Sequence, residues 1–355
     1  MTLPGSSART AARHLLSKGA ARLPMEYVRP LSGVTLVVPY YHMVCDTSVP
    51  HVSHLYRFRT IAEFKSDVEY LLRHFEPVAL SDIVDALNGT RTLSRPCFHL
   101  TFDDGFREMH DIVAPILLRA GVPATFFLIT GVVDGGGLPH HNALSVLLDK
   151  LQSPHSRLGA ARIRRVESLL PPTNATREPL RVRILSIPYA QKSLVGALAE
   201  SLDVDFDDYV GKVQPYLSAE QIATLLSKGF SLGAHSHDHP LYADIPLAQQ
   251  LAQTRTSVRL LETRFDMRPR AFAFPHTDSG VEEAFFTEVF SGLMLDITFG
   301  TAGLVAHFHP RNIERVRMEK TSAPAAQILA HQFARAMYFR LRPRLSSSAV
   351  PSRPN

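Results

Sequence analysis

The run CFHLTF at residues 97–102 passes without a break into Asp103, Asp104 and Gly105. Apolar and β-branched residues closed by turn chemistry predict a short buried strand, which sets two adjacent carboxylates at its C-terminal end. Working outward, the same punctuation recurs on both sides. Upstream, VTLVVPYY at 34–41 predicts a strand behind Gly33 despite Pro39. Ile61, Phe64, Val68, Leu71 and Leu72 then repeat at helical spacing behind a Thr60/Glu63 capping pair. Downstream, residues 108–120 predict a helix ended by Gly121, and ATFFLIT at 124–130 a strand. After residue 218 the order resumes as a helix at 220–227, a strand at 230–234, a long helix at 247–265 and a strand at 271–274. Strands alternating with helices of this length predict an α/β fold with a parallel sheet, open or closed into a barrel. Residues 135–217 break the rhythm with glycines 135–137 and with Leu144, Leu147, Leu148 and Leu151 on one helical face. They predict a mostly helical insertion bordering the site.

The 355 residues, 45% hydrophobic and 20% charged, suffice for one large core and exclude disorder by composition. No apolar run reaches membrane-spanning length, and the first thirty residues lack the apolar block of a secretory signal. Two cysteines, Cys45 and Cys97, are too few for a disulfide framework or a thiolate zinc site. A cytoplasmic protein is therefore expected. The net charge of +5 is unevenly spread. Residues 1–30 carry five basic side chains against one acidic, and residues 320–355 carry six against none. The body between them is acidic, with 27 basic and 32 acidic residues, which argues against a nucleic-acid partner. The expected organisation is a basic arm or helix at 1–30, a main domain at 31–320 and a basic C-terminal helix and tail at 321–355. The basic ends suit either peripheral contact with the anionic inner face of a membrane or a solubilising tail. Oligomeric state is not legible.

A second constellation follows the strand at 230–234: His235, Ser236, His237, Asp238, His239 and Pro240. Three imidazoles in five residues at a strand end are too dense for three unrelated surface histidines. His235 and His239 can converge on one ion, with Asp104 as an oxygen ligand, and His237 between them points elsewhere. Two histidines and one carboxylate leave coordination positions open, as a catalytic rather than a structural metal site does.

With these two motifs the sequence resembles the polysaccharide deacetylase family, the NodB-homology or carbohydrate esterase 4 group. The segments that carry the resemblance are LTFDDGF at 100–106, GVPATFFL at 121–128, YLSAEQIATLLSKGFSLGAHSHDHP at 216–240 and RAFAFPHTDSG at 270–280. The resemblance implies a distorted (β/α)7 barrel, with Asp103 as catalytic base and Asp104, His235 and His239 holding a divalent ion. That ion would be zinc, with cobalt, nickel or manganese as alternatives. It implies hydrolytic removal of N-acetyl, or O-acetyl, groups from a carbohydrate in a bacterial glycan or glycolipid precursor. The third motif departs from the family pattern, because Phe274-Pro275-His276 lacks an Arg before the proline. The proton donor is therefore open among His276, His307 and His309, with His331 weaker because it sits in an amphipathic helical pattern. His42, Pro275 and Arg315 are candidates for substrate contact. Two rivals share the motifs, a glycan-binding pseudoenzyme and an amide or imide hydrolase on the same fold.

Overall fold

In a computed structural model, which describes residues 25–153, 159–171, 178–292 and 294–341, the runs predicted as strands pair side by side in parallel. The basic arm expected at the N-terminus and the tail beyond residue 341 lie outside the described residues, Met25 to Ser32 excepted. The strands are β1 (Leu36–Val37), β2 (Pro39–Tyr41), β3 (Glu76–Pro77), β4 (Cys97–Phe98), β5 (Leu100–Phe102), β6 (Ala124–Leu128), β7 (Ser231–Ala234), β8 (Ala271–Ala273), β9 (Ile297–Gly300), β10 (Asn312–Glu314) and β11 (Val316–Arg317). The main sheet runs β10-β9-β8-β7-β6-β5-β2-β11, and β1, β4 and β3 form a second, three-stranded parallel sheet.

The two edges of the main sheet are neighbours in sequence. β10 pairs with β9 and β11 with β2, and only Arg315 separates β10 from β11. One stretch of chain thus serves both edges and closes the sheet, giving seven staves, the (β/α)7 barrel that the resemblance implied. Most strand residues are buried, as parallel strands under helices must be, which is why they read as continuous apolar runs rather than alternating ones.

Local signals place the helices between the staves. Thr60 Oγ1 accepts from Glu63 N (3.2 Å) and Thr60 N donates to Glu63 Oε2 (3.0 Å), so the helix Ile61–His74 starts at a capping box. Gly121, at φ 65°, ends the helix Ala114–Ala120. The expected helix over 108–120 opens instead with a π-helical turn at Met109–Val113, next to Pro115, which has no N–H to bond back to residue 111.

The break at 135–217 is filled by the helices His140–Gln152, Ala160–Leu169, Leu180–Leu185, Lys192–Leu202 and Phe206–Val213. They enclose their own core, in which Leu144, Leu147, Val166, Leu198 and Leu202 are fully buried. Each such leucine contributes about 1.5–3 kcal/mol. The acidic run at 203–208 supplies a cap: Asp205 Oδ1 accepts from Asp207 N (2.9 Å) and Asp208 N (3.0 Å).

The chain divides into two units, one of residues 35–325 that contains the barrel, and one of residues 1–34 with 326–355. Of this second unit the structure describes residues 25–34 and 326–341. Within it Arg340 Nη1 donates to the carbonyl of Leu31 (3.5 Å). Among the described residues no helix is long and apolar enough to cross a membrane.

Candidate active site at the barrel mouth

Register fixes which side chains meet. Phe102 lies beside Tyr41 and Phe126, and Leu128 beside Ala234, so the residues that follow these strands emerge at one end of the barrel. Asp103 and Asp104 leave β5, His235 leaves β7, His42 leaves β2 and Glu319 follows β11. In parallel barrels this C-terminal face is where loops from several strands can converge on one point.

His239 Nε2 lies 3.2 Å and His235 Nε2 3.4 Å from Asp104 Oδ1, and the two imidazole nitrogens are 3.3 Å apart. Ligand atoms about 2.0–2.1 Å from a tetrahedral ion stand roughly 3.3–3.4 Å from one another, so this spacing fits a zinc-sized cation. The donor chemistry fits as well. Asp104 Oδ1 is buried without a hydrogen-bond donor. His235 Nδ1 meets the carbonyl of Ala273 at 2.8 Å, which fixes the proton on that nitrogen and leaves the Nε2 lone pair facing Asp104. Burial opposes the charge on Asp104, but His239 and His235 outweigh it and hold its carboxyl well below the usual range. Tyr56 Oη donates to the other oxygen, Oδ2, at 3.2 Å.

The loop that carries the histidines is held from two sides. Its backbone bonds to β6's exit, through Thr130 N to Ser236 O (3.1 Å) and Gly131 N to His237 O (2.9 Å). A Cβ at Gly131 would stand 2.6 Å from that same oxygen, so the close approach requires glycine. Gln253, on the helix Leu247–Phe265, accepts from His237 N (3.0 Å) and Asp238 N (2.9 Å). His237 turns away, its Nδ1 3.0 Å from Thr130 Oγ1. Of the eight non-glycine residues with left-handed backbone among those described, four lie here: Asp104, Ser236, His239 and His276. At about 1–3 kcal/mol each, such conformations persist where surrounding structure enforces them.

Asp103 is clamped rather than free. Arg315 Nη1 and Nη2 donate to its two oxygens at 2.7 and 2.8 Å, and Arg315 also bonds Gly300 O (3.1 Å) and Thr101 Oγ1 (3.2 Å). Burial opposes charge on Asp103, yet the guanidinium prevails and its pKa is lowered. Arg315 is fully buried between the Tyr40 and Phe127 rings, so it is no substrate contact; it positions Asp103 from beneath.

His42 sits at the pocket with Glu319 behind it. Glu319 Oε2 is 2.7 Å from His42 Nδ1, while Oε1 accepts from His42 N (2.9 Å) and Met43 N (3.0 Å). Burial alone would lower the imidazole pKa, but Glu319 outweighs it and the pKa is raised. His276 reaches the same pocket, its ring 4.5 Å from His239 and 4.7 Å from His141. Surrounding protein and these two imidazoles hold its pKa well below the ordinary value, although the ring is exposed to the pocket. Pro275 is buried. His307 and His309 do not line this pocket: His307 lies 3.8 Å from Asp278, and His309 stacks on Phe290 at 4.4 Å.

The pocket, about 320 Å³, is lined by Tyr40, Leu55, Tyr56, Leu185, His141, Asn142 and Arg317 around Asp104, His239, His42 and His276. Sequence reasoning missed Tyr56, Glu319 and Arg317. Glu319 and Arg317 could have been flagged by position, since both lie at the end of the last strand; Tyr56 comes from a loop with no pattern.

A family model described as polysaccharide deacetylase matches residues 90–165 and 181–283, about half of the chain. The structure of the Streptococcus pyogenes deacetylase PplD in complex with acetate is similar, with a TM-score of 0.54 at 13% identity, covering 84% of this chain and 98% of that one. IcaB from Ammonifex degensii gives 0.52 at 17%, covering 84% and 97%. A de-N-acetylase from Aggregatibacter actinomycetemcomitans gives 0.51 at 14%, covering 83% and 99%. These likenesses carry the fold, and no curated protein matches the chain. On the family model, whose matched segments contain Asp103, Asp104, His235 and His239, the chain belongs to the polysaccharide deacetylase family.

Proposed function

We propose that this deacetylase hydrolyses the acetamide of an N-acetylated sugar, with O-acetyl esters as a second substrate class, in a bacterial glycan or glycolipid precursor. The observation that carries the reading is the triangle of unspent donor atoms on Asp104, His235 and His239 beside a guanidinium-clamped carboxylate. Those three residues hold a divalent ion, zinc by donor set, with cobalt, nickel or manganese as other occupants. Such an ion supplies Lewis-acid chemistry, polarising the acyl oxygen and acidifying water.

The chain's own groups do the rest. Arg315 takes one lone pair from each oxygen of Asp103, which leaves the others free to accept a proton from the attacking water. The clamp keeps Asp103 ionised and fixed in direction. His42 carries its carboxylate partner on Nδ1, so Nε2 is left to face the pocket, and the raised pKa keeps a proton available for the departing amine. His276, with its depressed pKa, is neutral and a weaker donor, so it contacts substrate instead.

The deciding experiment measures acetate release from N-acetylglucosamine oligomers by the zinc-loaded protein and its His42→Gln and His276→Gln variants. His42→Gln should cost about 10²–10⁴-fold in kcat, and His276→Gln should act mainly on KM. No acetate release by the wild-type protein from any acetylated sugar would refute the reading and favour the glycan-binding alternative; release from small amides or imides in its place would favour that enzyme class.

A further inference from the structure

The charges around the pocket do not balance. Asp104 faces the ligand triangle with one oxygen and accepts from Tyr56 with the other, and Glu319 is spent on His42 and two backbone amides. Nearby arginines each face a carboxylate, Arg315 Asp103, Arg59 Asp67 and Arg57 Glu63. Arg317 differs. It lines the pocket half-buried, its guanidinium lies over the Tyr56 ring at 5.6 Å, and its Nε is buried with no hydrogen-bond partner. No carboxylate among the described residues pairs with it.

A buried guanidinium donor left without an acceptor is costly, and a protein retains one where a ligand supplies the acceptor. The cation–π contact with Tyr56 holds the guanidinium at the pocket wall before the ligand arrives, and its fork suits capture of an oxoanion. Position sets the scale: the phenol that carries Arg317 on its face donates to Asp104, so the cation sits one aromatic ring from the proposed reaction centre.

We propose that Arg317 is the specificity residue of this pocket and that the preferred substrate is an acetamido sugar bearing an adjacent oxoanion, phosphoryl or carboxylate. The inference rests on the deacetylase reading of the same pocket and names its substrate class. A neutral sugar leaves the guanidinium without its acceptor and binds more weakly.

Calorimetric titration of the zinc-loaded protein with N-acetylglucosamine, N-acetylglucosamine 1-phosphate and N-acetylmuramic acid tests it. At least one anionic sugar should bind about tenfold or more tightly than the neutral one, as charge-assisted hydrogen bonds allow, and the tighter of the two tells phosphoryl from carboxylate. Arg317→Gln should bring that ratio close to one, and Arg317→Lys should restore part of it. If neither anionic sugar binds more tightly than N-acetylglucosamine, the proposal is overturned. It is overturned equally if the preference survives in Arg317→Gln, because the anion would then be binding the metal ion. Acetate release from the same three sugars is scored separately: an intact anion preference without any release would sink the deacetylase reading and leave the Arg317 assignment standing.

Discussion

Two clusters near the barrel mouth bring three histidine and carboxylate groups within reach of one ion: Asp104, His235 and His239, and Asp278, Glu314 and His307. By distance alone they are alike. Their hydrogen bonds separate them. In the second cluster Asp278 accepts from Thr301 N and Asn312 Nδ2, both at 3.1 Å, and Glu314 accepts from Ala302 N at 2.6 Å and Asn312 Nδ2 at 3.3 Å. His307 Nδ1 accepts from His309 N (3.0 Å), which puts the ring proton on Nε2, the nitrogen that faces Asp278. Every inward group there is already satisfied or is itself a donor. In the first cluster Asp104 Oδ1 has no donor and His235 directs a lone pair inward. Unspent lone pairs, rather than proximity of ligand-type residues, distinguish a cation site from a buried polar knot.

The largest effect expected from this contrast lies in metal content. Asp104→Ala, His235→Ala or His239→Ala should abolish stoichiometric zinc in elemental analysis and reduce acetate release by well over the 10–100-fold typical of outer partners of metal ligands. His307→Ala should leave the zinc in place. A second equivalent of metal that disappears with His307→Ala would break the contrast. Next in size, Asp103→Asn should retain zinc and lose about 10²–10⁴-fold in kcat, because Asp103 is outside the ligand triangle and acts on the proton. Equal loss of metal and rate would place Asp103 among the ligands instead.

The smallest effect concerns stability. Burial, then the hydrogen bond and charge of Asp278, push the Glu314 carboxyl up to about 8 from an ordinary 4.5. A raised folded-state pKa means that the native protein holds this proton more tightly than the unfolded chain. The stability it contributes is therefore fully present below about 4.5 and lost as pH rises through about 8. Glu314→Gln mimics the protonated form, so it should flatten that decline in urea midpoints across the window while zinc content stays the same. An unchanged slope would show that Glu314 is not the protonated partner.

Much of the barrel was legible because strands buried on both faces must be apolar runs, and element ends are marked by Gly33, Gly105 and Gly121. The staves β9 and β10 were not assigned; β10, Asn312–Glu314, begins and ends on polar residues and abuts a buried arginine, which reads as an interruption in an apolar strand. The ligand set was visible for a local reason: His235 and His239 lie within one turn, and Asp104 directly ends a strand. The acid was not, since a histidine's proton affinity depends on what stands behind its other nitrogen. The sequence offers His276, His307 and His309 as donors and His42 only as a substrate contact; the proposal of His42 as donor rests on Glu319 at 2.7 Å from its Nδ1, while His307 stands near Asp278.

What the amino-acid order determined by itself was the βαβ rhythm, the helical insertion and the clustering of Asp104 with two histidines, because periodicity and short-range chain geometry need no knowledge of distant neighbours. Only the tertiary structure decided the Asp103–Arg315 clamp across 212 residues, the His42–Glu319 pair across 277 and the unpaired state of Arg317. All three depend on one event, the pairing of β11 with β2 that closes the barrel and carries the last strand's charged residues to the mouth. Such a pairing is paid for in chain entropy and leaves no periodic trace in the residues that make it.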